Sequence, residues 1–365
     1  MKRALLTGVA LLCAQASAAF ELPAICNEFK APPDSGAESA TFGELRARVE
    51  KLIETDPGAS VGLMCATIPR VARERGEDSV EMAWWVGSLG TPMIAFMDRM
   101  AEAVPLLEFA RPIYERRLGP YAPEVAEIYV AYAWINTRQG RYTDAVKAWR
   151  NALRIREKTP GAKKIELQKV LVGLAQTLSF LREFDAAKDA LARAQAILAE
   201  NGEAVSEAAA AIENTFINIA WREEDFAAVR RHAERTIRIE EQMASPAAQR
   251  VPGYVWLGQS LERLDELEAA EGALRKAVEI AESKEGAPLQ RHHFAALTNL
   301  AGLLVARGKP AEALEYARRS IEVGEATRGA DAPQLVRPLQ YLGDARRAVG
   351  DLQIGRATSE LQSPI

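Results

Sequence analysis

The chain holds only three histidines, His232, His292 and His293, and three cysteines, Cys13, Cys26 and Cys65. Acid–base, nucleophilic or metal chemistry is usually built from these residue types, and their spacing here builds little of it. Adjacent residues on a helix point to different sides, so His292 and His293 make a poor metal pair. No HExxH, GxSxG, CxxC or glycine-rich phosphate loop occurs. The carboxylates gather in runs such as Glu262–Glu271, which read as the solvated faces of amphipathic helices. The expectation is a protein that is not an enzyme and that holds no cofactor and no metal.

The cysteines carry a different message. Cys13 lies in the apolar run Ala4–Ala14, which follows Lys2 and Arg3 and precedes the small residues Ala16, Ser17, Ala18 and Ala19. A charged start, a short apolar core and an A-x-A-like site are the marks of a secretory signal peptide over residues 1–18, with a mature chain starting near Phe20. The run is too short to span a bilayer, which needs roughly 20 apolar residues. A lipoprotein would need a small residue before the cysteine, and Leu12 stands there. The short, Ala-rich signal reads as bacterial, so the expected location is the periplasm or the exterior. Cys26 and Cys65 then form an even pair in an oxidising compartment, which favours a disulfide between them. Two free thiols are the alternative, since Cys65 lies in an apolar helical stretch where a buried cysteine is ordinary.

These residues sit in a soluble, helix-rich composition. The 365 residues carry a net charge of −4, with 26% charged and 48% hydrophobic side chains. No basic excess points to nucleic acid. Residues 20–75 read as an N-terminal arm and capping helices: Lys30–Ala40 is Pro/Gly/Ser-rich and reads as a linker, and Thr41 with Glu44 forms a capping box for a helix at Phe42–Glu54. A second helix runs from about Ala59 to Arg75, with Pro69 a candidate kink. Met82–Met97, the most apolar stretch after the signal, reads either as one buried helix or as an exposed docking patch.

From residue 79 to 353 the chain repeats. In Gln139–Arg154, Tyr142, Ala145, Trp149, Ala152 and Leu153 share one helical face after a turn at Gly140. Ala145 has counterparts at Ala187, Val229, Ala270 and Ala313, in steps of 42, 42, 41 and 43 residues, and one step back lands on Ala103. Each repeat shows two helices, with a small residue where they cross. The fourth repeat is the weakest, with Val229 and Thr236 in place of small residues. Prolines, among them Pro123, Pro160, Pro246, Pro252, Pro288 and Pro333, are placed between repeats; Pro105 lies inside a helix and should bend it.

The order small residue, glycine turn, aromatic, alanine, aromatic, alanine resembles the tetratricopeptide repeat family, in the longer form found in kinesin light chains. Ala103–Ala126 carries the resemblance most fully, and Arg328–Val336 echoes its exit. The resemblance implies an all-α fold, a right-handed superhelical solenoid of helix-turn-helix repeats. It also implies that the first helix of each repeat lines an inner face that binds partners. Carried across, the inward positions are Trp134 and Arg138, then Gln176 and Phe180, then Asn214, Asn218 and Arg222, then Gln259 and Arg263. Amides suit a peptide backbone and arginines suit carboxylates. The expected partner is a protein, or an extended or acidic peptide; the alternative is a solvated scaffold face whose contacts lie elsewhere.

The last residues break the pattern. One period beyond Ala313 calls for a second helix centred near residue 355, but residues 354–365 read IGRATSELQSPI, which resembles translated sequencing-adapter DNA. The expectation is a non-native tail and a last repeat cut short. Two functional readings follow. One is a periplasmic interaction scaffold. The other is the recognition or stalk region of a larger envelope protein, such as an energy transducer or enzyme, whose C-terminal domain is missing.

Overall fold

The structure, a computed structural model, describes residues 21–159, 164–283 and 290–350. The segment read as a signal peptide, Pro160, Pro288 and the tail 354–365 lie outside the described residues. The chain divides into two compact units, Met1–Gly161 and Ala162–Ile365. The described residues are helices and their connections.

The first unit opens with an arm that ends in a capped helix. Thr41 Oγ1 accepts the backbone N–H of Glu44 at 3.3 Å, and Glu44 returns a bond to the Thr41 N–H at 2.8 Å, which starts α1 (Phe42–Thr55). Asp56 caps α2 (Pro57–Arg75) through the Ala59 N–H, and Pro57 takes the first helical position, where its missing N–H costs little. The helix therefore starts two residues earlier than expected and runs on through Pro69. Val61, Met64, Ile68 and Val71 are completely buried along its core face, and that packing offsets the one lost backbone bond.

The expected linker at Lys30–Ala40 is instead an ordered strap. Arg48 donates to the carbonyls of Ser35 and Asp34, and Arg70 to those of Ala37 and Ala40. A Cβ at Gly62 would lie 2.1 Å from the Lys30 carbonyl oxygen, so the strap's backbone rests directly on α2. The disulfide expected between Cys26 and Cys65 is present and ties the chain just before the strap to that same helix, with Cα atoms 5.3 Å apart. Pro, Gly and Ser mark an irregular path here, and arginine side chains supply the order that secondary structure does not.

The apolar stretch Met82–Met97 is two helices rather than one, α3 (Val80–Ser88) and α4 (Gly90–Ala95). Pro92 lacks the N–H that would continue α3, and its ring would crowd the preceding turn. Met82, Ala83, Trp85, Leu89 and Met93 are completely buried, as the first reading of this stretch expected, but Phe96 is 55% exposed. Next come α5 (Met100–Leu118), which contains both Pro105 and Pro112, then α6 (Pro123–Arg138) and α7 (Tyr142–Lys158).

The second unit holds four helical hairpins and one further helix: α8 (Glu166–Phe180) with α9 (Phe184–Glu200), α10 (Glu207–Glu223) with α11 (Phe226–Gln242), α12 (Ala247–Arg263) with α13 (Leu267–Glu282), α14 (Gln290–Ala306) with α15 (Pro310–Arg328), then α16 (Val336–Ala348). Pro252 lies inside α12 rather than between repeats, as the sequence had suggested.

The periodic small residues do what their spacing requires. Ala145, Ala187, Val229, Ala270 and Ala313 are all completely buried, and so are Ala133, Ala175 and Ala301 on the first helices that face them. A Cβ at Gly258 would meet Leu274 Cγ at 2.5 Å, so α12 and α13 cross in contact there.

Each of these turns between paired helices has one left-handed residue: Gly140, Arg182, Glu224, Asp265 and Gly308, with φ between 61° and 72°. The residue after it, wherever its partner is described, donates back five residues into the first helix at 2.8–3.0 Å, as in Arg141 to Asn136 and Asp225 to Ala220. This is one Schellman turn repeated with the period of the sequence.

Candidate protein-interaction site

The inward positions of the second unit fall on α8, α10 and α12, and the structure sorts them by what they already touch. The amides are mostly engaged. Gln176 donates to Thr215 Oγ1 at 3.4 Å and Gln259 to Asn299 Oδ1 at 2.8 Å, so both join one first helix to the next. Asn218 donates to the Asn214 carbonyl of its own helix. The Asn214 side-chain oxygen is buried with no hydrogen-bond donor among the described residues.

The arginines are held differently. The Arg222 guanidinium lies 4.6 Å from the centre of the Phe180 ring, which is itself 40% exposed. The Arg263 guanidinium lies 4.1 Å from the Phe226 ring and 5.9 Å from Trp221. Trp221 in turn packs on Phe226 and Trp256, with centroids 5.3 and 5.4 Å away. Both arginines are exposed, and neither makes an ion pair among the described residues. A guanidinium held over a ring by its charge still has N–H donors to offer a planar acceptor such as a carboxylate. Trp221 and Phe226 were not among the residues expected at the site. Phe226 stood out only as an apolar position of its repeat, and no spacing rule marked Trp221.

The other arginines of this unit show what a satisfied one looks like. Glu271, 7% exposed, accepts from Arg275 at 2.8 Å and from Lys309 at 2.9 Å, and it also pairs with Arg307. Burial alone would raise its pKa, but the bonds from Lys309 and Arg275 and the charge of Arg307 win and hold it at about 2.

His232 and His293 both sit against carboxylates. His232 stacks on Phe216 at 4.6 Å, and its Nδ1 is 2.6 Å from the buried Glu213, which also accepts from Gln195. His293 sits 2.9 Å from Glu282, and burial lowers its pKa. No group of three or more His, Cys, Asp or Glu among the described residues is arranged to hold a metal ion.

In the first unit, Trp134 and Arg138 stand on the wall of a cavity of ≈610 Å3. Trp134 is 41% exposed and set edge-on to Trp149, with centroids 5.6 Å apart. Arg138 Nη1 donates to the Ile94 carbonyl at 2.8 Å, which holds that side chain across to α4. The opposite wall comes from α3, α4 and α5, which lie outside the part of the chain where inward positions were expected.

Among helical proteins this is the class built from repeated antiparallel helix pairs with small residues at each crossing. The tetratricopeptide repeat family matches residues 93–148, 135–200, 251–284 and 293–354, together more than half of the chain, and the chain belongs to that family. No curated protein sequence matches it. Solved structures agree on the fold. RapI in its apo form is 12% identical, with a TM-score of 0.64 over 86% of this chain and 94% of its own. BtubC (BKLC) from P. vanneervenii is 20% identical, with a TM-score of 0.55 over 64% of this chain and 93% of its own. A Rap protein complexed with competence and sporulation factor is 15% identical, with a TM-score of 0.52 over 86% of this chain and 88% of its own.

Proposed function

We propose that this protein is a non-enzymatic interaction scaffold, exported to the bacterial periplasm, that binds an extended acidic segment of a partner protein along the first helices of its second unit. The observation that carries this reading is the pair Arg222 and Arg263. They occupy the same place in successive repeats, 41 residues apart, lie over aromatic rings, and form no ion pair among the described residues. Unspent guanidinium edges at a regular interval form a binding surface for regularly spaced carboxylates. The periplasmic assignment rests on the signal-like N-terminus and is supported by the Cys26–Cys65 disulfide, which belongs in an oxidising compartment.

The test is fluorescence anisotropy with a labelled decapeptide of alternating glutamate and leucine, against one of alternating lysine and leucine. The acidic peptide should bind, and Arg222→Ala with Arg263→Ala should weaken it at least tenfold. Unchanged binding by the double variant would remove this reading.

A further inference from the structure

The cavity of the first unit points to a second and chemically different site. Along α6, Glu124, Glu127, Ile128, Ala131, Trp134 and Arg138 all line it, at the three- and four-residue spacing of one helical face. Trp84, Ile94 and Leu107 face them from α3, α4 and α5, so the middle is apolar and aromatic. Both tryptophans are pre-set: Trp84 is fixed by Arg46, 4.4 Å over its ring, and by the edge of Trp85 at 4.9 Å, and Trp134 by Trp149. The volume is that of an ordinary ligand pocket, which runs from about 300 to 1,000 Å3.

The two ends carry opposite charge. At one end, Glu124 makes no hydrogen bond or ion pair among the described residues. Its neighbour Tyr114 is held protonated, first by burial and then by the Glu124 charge. Glu127 beside it is already neutralised by Arg156. At the other end, Arg138 has given one donor to the Ile94 carbonyl and has no carboxylate among the described residues. A guanidinium carries five N–H donors, so most of its capacity is unused. Fourteen positions of α6 separate Glu124 from Arg138, about 21 Å at 1.5 Å per residue, the reach of about six residues of extended chain.

We propose that this groove binds an extended peptide segment of about six residues, with a basic side chain at Glu124, bulky apolar side chains against Trp84 and Trp134, and an acidic side chain at Arg138. The site needs neither Arg222 nor Arg263, so it stands or falls separately from the acidic surface of the second unit.

The test uses capped hexapeptides, so that only side chains carry charge, and reads calorimetry together with tryptophan fluorescence. Lys-Gly-Phe-Leu-Gly-Asp should bind the full chain at least tenfold more tightly than Asp-Gly-Phe-Leu-Gly-Asp, Lys-Gly-Ser-Ser-Gly-Asp or the tripeptide Lys-Phe-Asp, which is too short to reach both ends. Glu124→Lys should invert the order of the first two, and Glu124→Gln should erase the difference if the lysine variant does not fold. Arg222→Ala with Arg263→Ala should leave all these affinities unchanged. Equal affinity for every hexapeptide, no binding of any, or no inversion with a folded Glu124→Lys chain would overturn the proposal. Binding of oleate while neither charged hexapeptide binds would assign the cavity to an acyl chain and overturn it as well.

Discussion

Two sets of arginines in the second unit are alike in sequence and opposite in circumstance. Arg275 and Arg307 converge with Lys309 on the buried carboxylate of Glu271. Arg222 and Arg263, at the ends of α10 and α12, lie on aromatic rings and form no ion pair among the described residues. The first set knits neighbouring hairpins together; the second is oriented but not consumed. A count of charges, or the near-neutral total of −4, does not separate them. What separates them is whether a carboxylate lies within reach, four residues back on the same helix for Arg275 and about one repeat away for Arg307.

The comparison breaks most sharply at Glu271. Replacing it with alanine leaves three cations gathered without their anion and should cost about 3 kcal/mol in urea unfolding. Its titration gives the same answer by another route. The folded pKa of about 2 lies below the ordinary 4.5. The stabilisation is therefore complete above pH 4.5 and drains away as pH falls towards 2, up to about 3 kcal/mol in all. A Glu271→Gln chain should lack that acid-side slope, which thermal melts between pH 2 and 6 would show.

Glu240 gives the opposite sign. It is 5% exposed, its Oε2 has no hydrogen-bond partner among the described residues, and burial raises its pKa to about 7 despite the charge of Arg250. A raised carboxylate pKa means that the folded chain holds the proton more tightly, so stability falls as pH rises from 4.5 to about 7 and stays low above that. Glu240→Gln should melt higher than the wild type at pH 8 and show no decline over that window.

Alanine at both Arg222 and Arg263 removes three ring contacts and no ion pair. Stability should fall by no more than about 1.5–3 kcal/mol, since exposed cation–π contacts are worth about 0.5–1 kcal/mol each. The smallest effect belongs to a turn. Glu224 holds φ at 61°, a conformation that glycine adopts without strain, so Glu224→Gly should raise stability by about 0.5–1 kcal/mol in thermal unfolding.

The repeats were legible in the sequence because their signal is local and is stated several times over. The alanines at the crossings are each buried as their spacing required, and the two-helix pattern follows from them. The turns were only half legible. Gly140 and Gly308 announce a left-handed residue, but Arg182, Glu224 and Asp265 occupy the same conformation without a glycine to show it. There the Schellman bonds and the packing of the hairpin impose a backbone that the residue types do not favour. The strap of the first unit was misread because its order comes from Arg48 and Arg70 reaching back 13 and 30 residues to backbone carbonyls. The break between α3 and α4 was signalled by Gly87-Ser88, Gly90-Thr91 and Pro92 within the apolar run.

The candidate sites divide in the same way. The positions of Arg138, Arg222 and Arg263 followed from family resemblance, because the period fixes them. Their surroundings did not. The rings beneath Arg263 come from the end of α10 and the start of α11, and the anchor of Arg138 is a carbonyl 44 residues earlier on a helix that the pattern did not separate. Nor did the pattern show that Gln176 and Gln259 are spent on their neighbours.

The most direct measurement is an NMR titration that follows the arginine Nε–H signals while the acidic glutamate–leucine decapeptide is added. Arg222 and Arg263 should shift progressively with peptide concentration, while Arg275 and Arg307, already held by Glu271, should stay in place. If Arg222 and Arg263 do not move, or if all four move together, the division between spent and unspent arginines is wrong, and the interaction surface proposed for the second unit falls with it.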